Sequence, residues 1–167
     1  MMAIQPTTIF EFSKSTDPVS WRVVDDAVMG GRSDGSFFIN DEGFGVFTGK
    51  VSLENNGGFS LVRHRMEQSI DVASAQNFVL FLKGDGKRYQ FRVKYNAGDY
   101  YSYVYYFTTN GSWQEITIPF QEMEPRFRGQ SLNQPNYPGE SLEEIGFLIG
   151  NKEAQKFELK LSKITVE

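Results

Sequence analysis

The chain reads as an all-β protein, an antiparallel β-sandwich, and three observations lead there. Apolar and polar residues alternate in period two along several short runs. Gly, Asn, Asp and Pro recur between those runs, where the chain must turn. Aromatic residues make up 15% of the chain, with 15 Phe and 8 Tyr, and such side chains favour strands over helices.

The first strand candidates are Thr8–Phe12, Trp21–Val24 and Ser36–Asn40, followed by Gly45–Leu53 and Phe59–Met66. The run Phe78–Leu82 is apolar throughout, the pattern of a strand covered on both faces. Gly84-Asp85-Gly86 predicts a hairpin turn from it into Arg88–Tyr95. There Tyr89, Phe91, Val93 and Tyr95 take one face, and Arg88, Gln90, Arg92 and Lys94 the other. Asn96–Asp99 predicts the next turn, into Tyr100–Thr108. Trp113–Pro119, Ile145–Ile149 and Lys156–Glu167 complete the set. In the last run Phe157, Leu159 and Leu161 alternate, and Ile164 and Val166 continue out of phase. A bulge near Ser162-Lys163 restores the inward face. Helix is scarce. Ser141-Leu142-Glu143-Glu144 resembles a capping box with room for one turn, and Ile70–Ala75 has room for another. Glu122–Tyr137 is polar, contains Pro125 and Pro135, and reads as a long surface loop.

The length of 167 residues fits one domain, 1–167, large enough to bury a core without staples. Cysteine is absent, which removes disulfides, thiolate zinc sites and cysteine nucleophiles. The net charge of −4 and the lack of a Lys/Arg run argue against a nucleic-acid partner. No apolar stretch approaches the roughly 20 residues of a membrane span. The opening Met1-Met2-Ala3-Ile4-Gln5 lacks the basic and apolar regions of a leader, so a soluble, cytoplasmic location is expected.

Two segments carry Gly-Gly pairs beside polar side chains, Asp25 to Ser33 and Asn55 to Phe59. Glycine allows close backbone approach. Arg63 shares a strand face with Phe59 and Leu61, and a covered guanidinium needs a carboxylate. Asp25 or Asp26 would supply one and pin the two glycine segments together. Asp25, Asp26 and Asp34 also offer oxygen ligands for Ca²⁺, but their spacing is not that of an EF-hand, and acceptance from nearby backbone N–H groups accounts for them. His64 is the lone histidine, and Ser60 on the same strand lies about 13 Å away, too far for direct pairing. No two of the acids are marked out as a glycosidase pair, and the glycine pairs lack a phosphate-loop pattern. No enzymatic activity, cofactor or metal is expected. Tyr100 and Tyr106, beside Arg88 and Arg92, offer a second surface, an aromatic and polar platform suited to sugar rings.

The motifs resemble those of the complex I intermediate-associated protein 30 family. The carriers are Trp21, Asp25 or Asp26, Val28-Met29-Gly30-Gly31, Ser33, Phe47-x-Gly49 and Gly57-Gly58-Phe59 with Arg63. Gly84-Asp85-Gly86-x-x-Tyr89, Trp113-x-x-Ile116-x-Ile118-Pro119-Phe120, Arg128-Gly129 and Ile145-Gly146-Phe147 extend the likeness over nearly the whole chain. The resemblance implies a galactose-binding-like jelly roll similar to some carbohydrate-binding modules. It also implies relatives that act as assembly factors or chaperones for respiratory complex I, with no chemistry assigned to the domain. The resulting expectation is a non-enzymatic module binding a protein partner through Asp25, Asp26, Met29, Gly30, Gly31, Asn55, Asn56 and Arg63. The alternative is a carbohydrate-binding module using Arg88, Arg92, Tyr100 and Tyr106.

Overall fold

The structure, a computed structural model, describes residues 6–25, 33–54 and 58–167. Two antiparallel sheets face each other. One has the strand order β3-β4-β13-β6-β9, with β1 also paired to β13. These strands are β1 (Thr7–Glu11), β3 (Asp34–Ile39), β4 (Gly45–Val51), β6 (Asn77–Lys83), β9 (Trp113–Pro119) and β13 (Gln155–Val166). The other sheet runs β11-β10-β8-β7-β12-β5-β2. Its strands are β2 (Arg22–Asp25), β5 (Ser60–Asp71), β7 (Arg88–Lys94), β8 (Ser102–Thr108), β10 (Glu124–Phe127), β11 (Gln130–Ser131) and β12 (Ser141–Ile149).

Period-two alternation closes the sandwich. Tyr89, Phe91 and Val93 of β7 point inward and are buried, as are Ile145, Phe147 and Ile149 of β12. Across from them lie Phe78, Leu80 and Leu82 of β6 and Leu159, Leu161 and Ile164 of β13. Phe78 meets Phe91 with ring centroids 5.1 Å apart, and Phe91 meets Phe147 at 5.3 Å, so aromatic contacts join the two sheets and continue along one of them. At one end Trp21 is buried, stacked on His64 at 5.3 Å and 21°. His64 Nδ1 lies 2.8 Å from the Ser20 carbonyl, so the lone histidine is a half-buried strand residue held in this aromatic cluster.

The expected bulge in β13 is present, with the β6 register shifting between Leu161 and Lys163. Three expectations are corrected. First, Gly84-Asp85-Gly86 does not close a hairpin: β6 pairs with β9 and β13, whereas β7 pairs with β8 and β12, so this turn carries the chain from one sheet to the other. Asp85 holds the crossing. Its Oδ1 accepts from Tyr89 Oη at 2.9 Å, and its Oδ2 accepts from the backbone N–H of Glu158 on the opposite sheet at 2.9 Å. Second, Ser141–Glu144 is strand, and β5 runs on to Asp71 beside it. Leu142 and Ile145 are both buried although three apart, because the register shifts between Leu142 and Glu144. That bulge imitates helical spacing. Third, Glu122–Tyr137 contains β10 and β11, with Met123 and Tyr137 buried beneath. Arg128 (φ 50°) and Gly129 (φ 80°) form the two-residue turn between these strands, the geometry of a tight β-hairpin.

Candidate functional site

Strand pairing sets the outward side chains of the seven-stranded sheet in rows. Arg22, Arg63, Gly146, Arg92, Val104 and Glu124 lie side by side on six successive strands. Val24, Leu61, Leu148, Gln90 and Tyr106 form the next row. On the other side of the first row stand Arg65, Glu144 and Lys94. The strands alternate, so an inward-facing residue separates each pair of outer ones.

These rows line a groove with two connected hollows that share Val24, Leu61 and Arg92. One, of about 260 Å³, is cationic, lined by Arg63, Arg65, Arg92 and Lys94 around Glu144. The other, of about 570 Å³, has Leu61, Leu148 and Val104 among its apolar walls and Tyr100, Phe127 and Arg126 at its far side. Gly146 keeps the floor open between Arg63 and Arg92. A Cβ there would come within 2.8 Å of the Val62 carbonyl oxygen and would project into the hollow.

Glu144 is buried, and its Oε1 accepts from Arg63 Nη1 at 3.0 Å and from Arg65 Nε at 2.8 Å. Arg92 Nε is buried with no hydrogen-bond partner among the described residues; Arg126 Nε is buried likewise, while its Nη2 donates to Glu124 Oε2 at 2.9 Å and its Nη1 to the Gly129 carbonyl at 3.3 Å. Burial holds the Arg92 guanidinium below its ordinary pKa, opposed by Tyr106 and Glu144. Burial lowers Lys94 as well. Glu144 pulls the other way, and Arg65, Arg63 and Arg92 add to the lowering. Lys94 Nζ donates to the Asp99 carbonyl at 2.6 Å. Among the described residues the groove is therefore a cluster of cations on a chain whose net charge is −4.

The residues singled out from the sequence separate into two sets. Asp26, Met29, Gly30, Gly31, Asn55 and Asn56 lie outside the described residues. Asp25 ends β2 with its backbone opposite Ser60, and its side chain is likewise outside the description. Arg63 points outward into the groove, where Glu144 is set against it; the expected pairing with Asp25 or Asp26 rests on side chains that lie outside the described residues. Arg92, Tyr100 and Tyr106 do come together in the groove, with Arg88 at its edge. The Tyr106 ring is nonetheless covered. The Arg88 guanidinium lies over it at 4.6 Å and that of Arg126 at 5.5 Å. Tyr100 stays 60% exposed and meets Phe127 edge-on at 5.1 Å. Lys94 stood on the polar face read from the sequence without being singled out as a site residue, whereas Glu144, Arg126 and Phe127 were missed. The Arg128-Gly129 turn dipeptide was the available signal for the last two.

Among the described residues no cluster of His, Asp or Glu could hold a metal ion, and no helix is long and apolar enough to cross a membrane. The chain matches none of the curated proteins in sequence. Solved structures share its architecture. The family 11 carbohydrate-binding module of the cellulosomal cellulase Lic26A-Cel5E of Clostridium thermocellum superposes with a TM-score of 0.70 at 16% identity, covering 99% of this chain and 95% of that one. The family 11 module of that organism in complex with a β-1,3-1,4-mixed-linked tetrasaccharide gives 0.68 at 16%, covering 99% and 96%. The agarase AgWH50C gives 0.61 at 14%, covering 97% of this chain and 24% of that one. The shared architecture is the jelly-roll β-sandwich of these modules. A family model, complex I intermediate-associated protein 30, matches residues 10–161. The chain thus belongs to the complex I intermediate-associated protein 30 family.

Proposed function

We propose that this chain is a non-catalytic binding module that holds a segment of a protein partner along the groove of its seven-stranded sheet. One observation carries the reading: an apolar hollow and a cationic hollow run together there, joined by Val24, Leu61 and Arg92. Aliphatic walls suit peptide side chains, and fixed polar groups set orientation. The family's description, an association with an intermediate of complex I, supports a partner that is itself an assembly component. Glu144, the acid at the centre of the cationic hollow, is engaged by two arginines, which suits a structural carboxylate better than a proton-transfer group.

The test is site-specific photo-crosslinking in the native host, with a benzophenone side chain at position 100. A discrete protein adduct from position 100, absent when the same group stands at position 113 on the opposite sheet, is the expected result. No adduct from position 100, or equal adducts from both, would overturn the reading.

A second reading is supported by the exposed Tyr100–Phe127 pair at the groove's far side and by the fold shared with carbohydrate-binding modules. It assigns the groove to a glycan. Saturable binding on a glycan array, lost in Tyr100→Ala, would favour it over the protein partner.

A further inference from the structure

We infer that the occupant of this groove is an acidic and partly apolar stretch of polypeptide in extended form, its carboxylates taken by Arg92, Arg126 and their cationic neighbours. This rests on the reading that the groove holds a protein partner, and it specifies that partner's chemistry. The cations of the groove outnumber the acids set against them among the described residues. Arg63 and Arg65 share the single oxygen Oε1 of Glu144, and Lys94 is bound to a backbone carbonyl. Arg92 and Arg126 face the same hollow, and each keeps a buried Nε without a partner among the described residues, but Arg126 already pairs with Glu124 through Nη2 at 2.9 Å and donates to the Gly129 carbonyl through Nη1 at 3.3 Å. A guanidinium is a planar fork that matches a carboxylate in two parallel hydrogen bonds. Arg92 is covered and lacks such a match among the described residues, which is costly until an anion arrives, and Arg126 stands beside it with its Nε still to be engaged.

Shape separates the sources of that anion. A uronic-acid polysaccharide would bring a carboxylate, but its pyranose faces need open aromatic rings. Tyr106 is covered by two guanidinium groups, and the exposed rings of Tyr100 and Phe127 meet edge-on at one side of the hollow instead of forming a flat platform. The remaining wall is aliphatic, with Leu61, Val104 and Leu148. That wall fits Leu- or Val-like side chains alternating with acids. From Arg63 on β5 to Arg126 on β10 the sheet spans four strand spacings, about 19 Å, or about six residues of extended chain.

The probe is a fluorescein-labelled peptide of about eight residues alternating Glu and Leu, titrated by anisotropy into the full chain. Its counterparts are the same peptide with Gln for Glu and an oligogalacturonate competitor. The Glu-Leu peptide is expected to bind, to weaken with salt, and to lose at least about tenfold in affinity when Gln replaces Glu. Arg126→Gln and Arg92→Gln should each weaken it by a similar factor, with circular dichroism checking that both variants fold. Arg126→Gln, on the outer hairpin, keeps the test valid should Arg92→Gln unfold. Equal binding of the Gln peptide, indifference to Arg126→Gln, no binding of the Glu-Leu peptide, or tighter binding of the oligogalacturonate would each overturn the inference. A protein adduct from position 100 that persists in Arg126→Gln would retain the groove reading and remove the acidic one.

Discussion

Glu144 and Arg63 lie 3.0 Å apart on neighbouring strands although they are not register partners: Arg63 stands opposite Gly146, and Glu144 opposite Arg65. Arg63 therefore reaches diagonally over the space that Gly146 leaves empty. One carboxylate serves two guanidinium groups, and this arrangement shapes the cationic half of the groove.

Replacing that carboxylate should be costly. Glu144→Gln keeps the side-chain shape and removes the charge that balances Arg63 and Arg65. A stability loss of about 2 kcal/mol is expected, below the roughly 3–5 of a fully buried pair because Arg65 is half exposed. Urea denaturation checks it: the midpoint should fall with the slope unchanged. A midpoint equal to that of the parent would show that the pair contributes nothing to folding.

Gly146→Ala should act on the same place sterically. Its Cβ would meet the Val62 carbonyl oxygen at 2.8 Å, a backbone atom that moves only with its strand. Forcing a methyl group into such a spot costs about 1–3 kcal/mol. Thermal unfolding should register the drop, and a fully stable alanine variant would mean that β12 and β5 are farther apart than the structure places them.

Asp85→Ala should weaken the crossing between the sheets. It strands the buried Tyr89 hydroxyl and the Glu158 N–H, both of which donate to Asp85 at 2.9 Å. A loss of about 2 kcal/mol follows from leaving the buried Tyr89 hydroxyl unpaired and the Glu158 N–H without its acceptor. Adding Tyr89→Phe removes one of those donors, so the double variant should recover part of the loss. A strictly additive double variant would argue against the contact.

At high pH the tyrosines should govern stability. Burial raises the pKa of Tyr89, of Tyr103 and of Tyr137, with Asp85 adding to the effect at Tyr89. In the unfolded chain these groups ionise near about 10. Below that pH both states hold the proton and the contribution is complete. Above it the unfolded chain releases protons that the folded one retains, so stability falls as pH rises. Absorbance of tyrosinate should therefore appear in two stages, exposed groups first and these three only on unfolding. A single stage completed by a still-folded protein would contradict the burial.

Local pattern was enough for much of the framework. Alternation in Arg88–Tyr95 assigned both the core face and the groove face of β7 without reference to any other strand, since side chains on a pleated strand alternate by geometry alone. The phase slip after Leu161 marked the β13 bulge for the same reason. Pairing partners were less legible. Gly84-Asp85-Gly86 has the composition of a hairpin, yet the two flanking strands belong to different sheets, a fact carried by their neighbours β12 and β13. Pro125 and its polar surroundings concealed β10, which lies near the edge of its sheet, where a missing N–H is tolerated.

What the sequence by itself determined was the class of fold, the family and the inward or outward sense of most strand residues, because these depend on period and motif along the chain. What only tertiary structure decided was the company each outward residue keeps. Glu144 is separated from Arg63 by 81 positions and joins it through the register of β12 on β5. Arg126 reaches Tyr106 through the pairing of β10 with β8. Charge balance in the groove is a sum over strands distant in sequence, and no local pattern encodes such a sum.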